Sequence, residues 1–294
     1  MARKIMRVTR TGGFLAFVFP AFLLVCLAFY IPFLMNAYYA FTDWNGIQRA
    51  AKLNGLANFS ELLQDTDFFN SVLFTLKFAV GYIALSNAGA ILIAVILNRK
   101  LRAANAIRAA LFIPYILSLV IVGFIWNFIL GAGFQSLGEL THLAVFRADW
   151  LGDLSLVPWT VISVSVWQSL GFYVLIYHAG LQAIPQEIYE AALLDGAGPS
   201  TKFFKITLPM LAPSITSGMF FSLAASIRVY DVIVSLTRGG PGRATSSVTF
   251  DIYTEAFSHN RYGYGTAKSL VLLVVVMAFA AVQLRFMKSR EVEA

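Results

Sequence analysis

The chain has 294 residues, 59% of them hydrophobic and 13% charged, with 26 Phe. Soluble domains carry about 25% charged residues, so the apolar surface here exceeds what a soluble core of this length buries, and a polytopic membrane protein is expected. The net charge of +7 reads as a topology signal, and no nucleic-acid partner is expected.

In chain order, a basic tail (Arg3, Lys4, Arg7, Arg10) precedes a charge-free run over 11–42. The run is too long for a cleaved signal sequence, and no prompt small-x-small site follows, so it predicts an uncleaved first helix. Cys26, the single cysteine, falls within it as a small apolar residue and excludes an internal disulfide. A mixed polar and apolar segment follows over 43–70. Further runs with no charge, or one at most, span 71–97 (only Lys77), 109–138, 154–186, 206–227 and 269–284. The last is short and is expected to extend through Lys268 and Arg285 by snorkelling. About 20 apolar residues cross a bilayer, and backbone in hydrocarbon must pair internally, so six transmembrane helices are predicted.

Basic residues orient the spans. With the N-terminus inside, the cytoplasmic pieces hold 13 basic residues, from Arg3 through Arg99, Arg108 and Lys202 to Arg290, against five acids, Glu187, Glu190, Asp195, Glu291 and Glu293. The external pieces hold eight basic and ten acidic residues. Both termini are therefore expected in the cytoplasm.

Between the fourth and fifth runs lies QEIYEAALLDGAGPSTKFFKITLP (186–209). Pro185 is suited to be the first helical residue, with Glu187 and Glu190 near the positive N-terminal end. Gly196 is suited to a left-handed C-cap, Pro199 to stopping continuation, and Ser200 to capping a second helix carrying Lys202 and Lys205. Ala191 and Ala192 keep one helix face slim.

Glu190-Ala191-Ala192, Gly196, Ile206, Leu208 and Pro209 resemble the EAA motif of permease subunits from binding-protein-dependent ABC importers. LTRGGPG (236–242), with Thr245, Tyr253, Phe257 and Gly263, is similar to the last external loop of the sugar-importer branch, of the maltose, multiple-sugar and glycerol-phosphate type. The likeness covers about 71–286, and LNGLANFSELL resembles a surface helix common in the family. The resemblance implies an all-α, type I ABC importer permease fold with a cytoplasmic coupling helix. It assigns 1–70 to the tail, first helix and external segment, and 71–294 to the transmembrane domain with its EAA loop at 184–209.

It also implies a multi-pass subunit of a prokaryotic cytoplasmic (inner) membrane, forming half of a sugar pore for an oligosaccharide. The implied partners are a second homologous permease, an ATPase dimer, an external solute-binding protein, the sugar and membrane lipid. Glu190, Ala191, Ala192, Asp195 and Gly196 would couple to the ATPase. The subunit itself would be no enzyme and hold no cofactor, ATP being bound by the partner. RGGPGRATS lacks the Gly-Lys-Ser/Thr ending of a phosphate loop, and His142, His178 and His259 show no metal-ligand spacing.

Polar groups within the spans are mostly neutral or aromatic, as a sugar requires, although Ser and Thr also join membrane helices to one another. Counting from the motifs, the family's sugar positions correspond to Ser165, Gln168, Ser169 and Phe172 on the fourth span and to Ser222, Ala225, Ser226 and Val229 on the fifth. Tyr230 follows. Ser165, Gln168, Ser169 and Phe172 can share one face, as can Ser222 and Ser226. The alternatives are a glycerol 3-phosphate or polyol phosphate importer, against which the mostly neutral span groups argue and which Arg228 leaves open, and a self-contained secondary carrier, which would leave the EAA loop unexplained.

Overall fold

The computed structural model describes residues 17–98 and 103–288. Arg3, Lys4, Arg7, Arg10, Arg99, Lys100, Arg102, Arg290, Glu291 and Glu293, counted above for orientation, lie outside them. Apart from an isolated bridge between Thr42 and Leu53, regular structure in the described residues is helical. Five helices are long and apolar enough to cross a membrane, and a sixth span results if one bent pair is counted together.

The chain divides into two contact units, 1–64 with 252–273 and 65–251 with 274–294. In the first, α1 (Phe17–Tyr39) is uncharged, apolar over most of its length and without a buried residue. The short helix α2 (Ala57–Leu62) carries Asn58, whose amide donates to the carbonyls of Ala40 and Thr42, both at 2.9 Å. The helix starting at Tyr262 lies against this segment, the Gly263 amide donating to the Trp44 carbonyl at 2.7 Å. A Cβ on Gly263 would stand 2.2 Å from the Thr42 carbonyl oxygen.

Lys268 departs from expectation. It is fully buried, 3.9 Å from Glu255 and over the Tyr264 ring. It does not snorkel: a carboxylate and a ring face inside the unit offset the desolvation of the ammonium. The predicted run at 269–284 accordingly begins seven residues earlier as a helix, at Tyr262.

The second unit is organised around α3 (Thr66–Leu97) and α6 (Val157–Gln182). Asp65 caps α3, its carboxylate accepting from the Phe68 amide at 2.9 Å, with Asp67 in the first turn where the helix dipole favours anions. Ahead of α6, the hydroxyl and amide of Ser155 hold the Asp153 carboxyl below the usual carboxylate range. The predicted run at 109–138 is not one helix. It contains α4 (Ala104–Ile116) and α5 (Leu119–Thr141), separated by extended Leu117 and Ser118.

The run at 206–227 is also divided. α8 (Pro199–Met210) meets α9 (Ala212–Ile227) at 66°, so only α9, 16 residues long and about 24 Å at 1.5 Å per residue, continues the apolar course. A short α10 (Asp231–Leu236) packs on α5, with the Asn127 amide donating to the Leu236 carbonyl at 2.7 Å. α11 (Val248–Tyr253) and α12 (Tyr262–Lys288) complete the chain.

Small residues bring the helices of this unit together. A Cβ on Gly171 of α6 would lie 2.1 Å from the Leu111 carbonyl oxygen of α4, so the two backbones nearly touch there. A buried polar cluster joins α3, α6 and α9. Tyr177 donates to the Asn87 side-chain oxygen, and the Asn87 amide donates to Ser222 Oγ at 2.9 Å.

Candidate functional site

A cavity of about 820 Å³ opens among α3, α4, α6 and the α9–α10 junction. From α6, Ser165, Gln168, Ser169 and Phe172 line it together, as their helical spacing predicts. Ala225, Val229 and Tyr230 line it from the α9 side. Ser222 and Ser226 do not. Both are fully buried: Ser226 donates to the Leu223 carbonyl at 2.8 Å, and Ser222 donates within its own helix while accepting from Asn87. They do share a face, as spacing requires, but the face of Ser222 meets α3, where it joins helices.

The polar groups of α6 are already engaged. Ser165 and Ser169 donate back to the carbonyls of Val161 and Ser165 at 2.8 and 2.9 Å, and Ser169 Oγ also accepts from the Tyr82 hydroxyl at 2.9 Å. Gln168 Nε2 donates to the carbonyls of Tyr115 and Leu117 at 3.3 and 3.4 Å. Those carbonyls belong to the break between α4 and α5, where helical acceptors lose their regular partners. Tyr115 is thereby held over Phe172, ring centroids 4.8 Å apart and planes 13° from parallel.

Tyr82 and Tyr115 were not singled out from sequence, although both line the cavity. Their signal was a hydroxyl-bearing aromatic within an otherwise apolar run, in Tyr115 directly after Pro114. Arg228 and Asp231 also line the cavity.

The 186–209 segment folds largely as its local signals direct. α7 (Gln186–Leu194) follows Pro185, which stands at the cap position with ψ 134, one residue before the helix. Gly196 is left-handed at φ +74. Its amide donates to the Leu193 carbonyl at 3.1 Å and that of Ala197 to Ala192 at 2.9 Å, the paired bonds of a Schellman cap. Ser200 is no cap: Gly198 holds that position and Ser200 lies within the first turn of α8, because Pro199 occupies the favoured first helical position.

Glu190, Ala191, Asp195 and Gly196 are exposed, whereas Ala192 is buried. Leu193 and Leu194, 64% and 89% exposed, extend the bare face. Tyr189 bonds Thr207 across the loop at 3.1 Å, tying α7 to α8.

Residues 86–290 match the family described as binding-protein-dependent transport system inner membrane component. The chain is 36% identical over 277 residues, 94% of each chain, to a protein of Thermoanaerobacterium thermosulfurigenes named as a probable starch degradation products transport system permease, AmyD. It is 32% identical over 276 residues to the multiple sugar-binding transport system permease MsmF of Streptococcus mutans, covering 94% of this chain and 95% of that one. Among solved structures, a bacterial ABC transporter described as importing the acidic polysaccharide alginate superposes with a TM-score of 0.84 over 98% of this chain and 99% of that chain, at 21% identity, which establishes the fold. The chain belongs to the inner-membrane component family of binding-protein-dependent ABC importers and is a multi-pass permease of the type I fold.

Proposed function

We propose that this permease forms half of the translocation pore of an ATP-driven oligosaccharide importer, paired with a second homologous permease, two ATPase subunits and an external solute-binding protein. The carrying observation is the cavity, where hydroxyls and the side-chain amide of α6 face aromatic rings from three helices. A sugar needs hydrogen bonds for its hydroxyls and flat apolar faces for its ring C–H groups. The names of the related permeases favour the same class.

In this reading α7 is the coupling helix. Its exposed Ala191, Leu193 and Leu194 offer an apolar contact, bordered by Glu187, Glu190 and Asp195, for an ATPase groove. ATPase closure would pull on α7 and, through the Tyr189–Thr207 contact, on α8 and the 66° elbow into α9. Both termini and α7 face the cytoplasm. No cofactor is held by this subunit.

Uptake of labelled maltotriose into vesicles bearing the assembled transporter, with and without the ATPase subunits, tests the reading. ATP-dependent uptake that vanishes without the ATPase is expected; uptake driven by an ion gradient alone would refute it. A second reading, import of a polyol phosphate such as glycerol 3-phosphate, is favoured by Arg228 in the cavity wall.

A further inference from the structure

We propose that Arg228 and Asp231 act together as the charge filter of the cavity, selecting an uncharged polyhydroxylated ligand over phosphorylated or acidic ones; this rests on the importer reading above. They are the two residues of opposite formal charge among the described lining residues, three positions apart on one wall. Arg228 is the C-terminal cap of α9 (φ −95, ψ 18), where the helix dipole favours a cation, and Asp231 is the first residue of the short α10. Both residues are exposed, so solvent reaches each charge and neither needs a partner to be tolerated.

They do not neutralise one another. No ion pair within 4.0 Å joins Arg228 or Asp231 to any described residue. Among the described residues the guanidinium makes one long bond, from Nε to the Ala224 carbonyl at 3.4 Å. Asp231 is engaged through its main chain, whose carbonyl accepts from the Ser235 hydroxyl at 2.7 Å. A forked donor and a two-oxygen acceptor therefore both remain available to the cavity, which Gln168, Tyr115 and Phe172 also line.

A neutral sugar can satisfy both, a hydroxyl pair accepting from Arg228 and donating to Asp231. An anionic ligand gains Arg228 but brings its charge against Asp231, and the two terms oppose one another. A cationic ligand meets the reverse conflict. The arrangement thus separates oligosaccharide from polyol phosphate by charge, which the neutral side chains of α6 cannot do.

The test is uptake by the complete transporter, with its binding protein, of maltotriose, raffinose, glycerol 3-phosphate and digalacturonate, at equal amounts of assembled complex. Uptake of a neutral sugar is expected, with Arg228→Gln and Asp231→Asn each raising its KM about tenfold or more, as loss of a charge-assisted hydrogen bond implies. If either variant fails to assemble, the charge-retaining Arg228→Lys and Asp231→Glu are read instead and must still shift that KM. An unchanged KM in the variants that assemble overturns the filter while leaving the importer reading intact. Wild-type uptake of glycerol 3-phosphate or digalacturonate as fast as that of the neutral sugars also overturns it. Failure of every probe refutes both.

Discussion

The side-chain amide of Gln168 and the main-chain carbonyl of Tyr115 are joined at 3.3 Å, across 53 residues of sequence. The bond ties α6 to the point where α4 gives way to α5, and the same segment carries the Tyr115 ring onto Phe172. Gln168 therefore serves the cavity twice, as a lining group and as the tether of its aromatic wall.

Gln168→Leu is expected to lower both sugar uptake and stability. It leaves the Tyr115 and Leu117 carbonyls without their donor, and interhelical hydrogen bonds in membrane proteins contribute about 0.6 kcal/mol each. A fall in the melting temperature of the purified complex alongside reduced uptake is the expected outcome. Unchanged values of both would show that the tether is idle.

Gly171→Ala tests the backbone contact between α6 and α4. The added Cβ would meet the Leu111 carbonyl oxygen at 2.1 Å, a contact with main chain that no rotamer can relieve. Overpacking of this kind costs about 1–3 kcal/mol. Lower thermal stability than in a Gly89→Ala control is expected, since the nearest atom there is a Leu170 methyl at an ordinary 3.5 Å.

Gly196→Val places a β-branched residue at φ +74, where nothing crowds the site sterically but the backbone itself is strained. About 1–2 kcal/mol of local stability is lost, the cost of an L-residue with a Cβ in the left-handed region. The larger expected effect is on coupling: sugar-stimulated ATP hydrolysis should fall although the complex assembles. Gly196→Asn should retain most of it, because Asn tolerates the left-handed region. Full coupling in the Val variant would separate the Schellman cap from ATPase docking.

Topology can be read with single cysteines after Cys26 is replaced. Ser246, in the loop expected outside, is a poor site, being 2% exposed and bonded to Ser71 at 3.1 Å. Ser200 and Ser155 are both exposed. Labelling of Ser200→Cys from the cytoplasmic face and of Ser155→Cys from the opposite face is expected; labelling from one side would refute the six-span arrangement.

Helical class, membrane residence and the stop signals of the 186–209 segment were legible in the amino-acid sequence. Charge-free runs and backbone pairing in hydrocarbon leave helices as the available form, and the Gly196 cap and Pro199 start act within a few residues of chain. Helical spacing also told which residues share a face: Ser165, Gln168, Ser169 and Phe172 on α6, Ser222 and Ser226 on α9. What a face meets was decided by tertiary packing. The first set reached the cavity, and Ser222 instead met Asn87 of α3. Likewise the break at Leu117–Ser118, the bend at Leu211 and the burial of Lys268 beside Glu255 are invisible in a run of apolar residues. In such a run neighbouring segments look alike, and the group that supplies the missing hydrogen bond or charge, Gln168 at the break and Glu255 at Lys268, lies elsewhere in the chain.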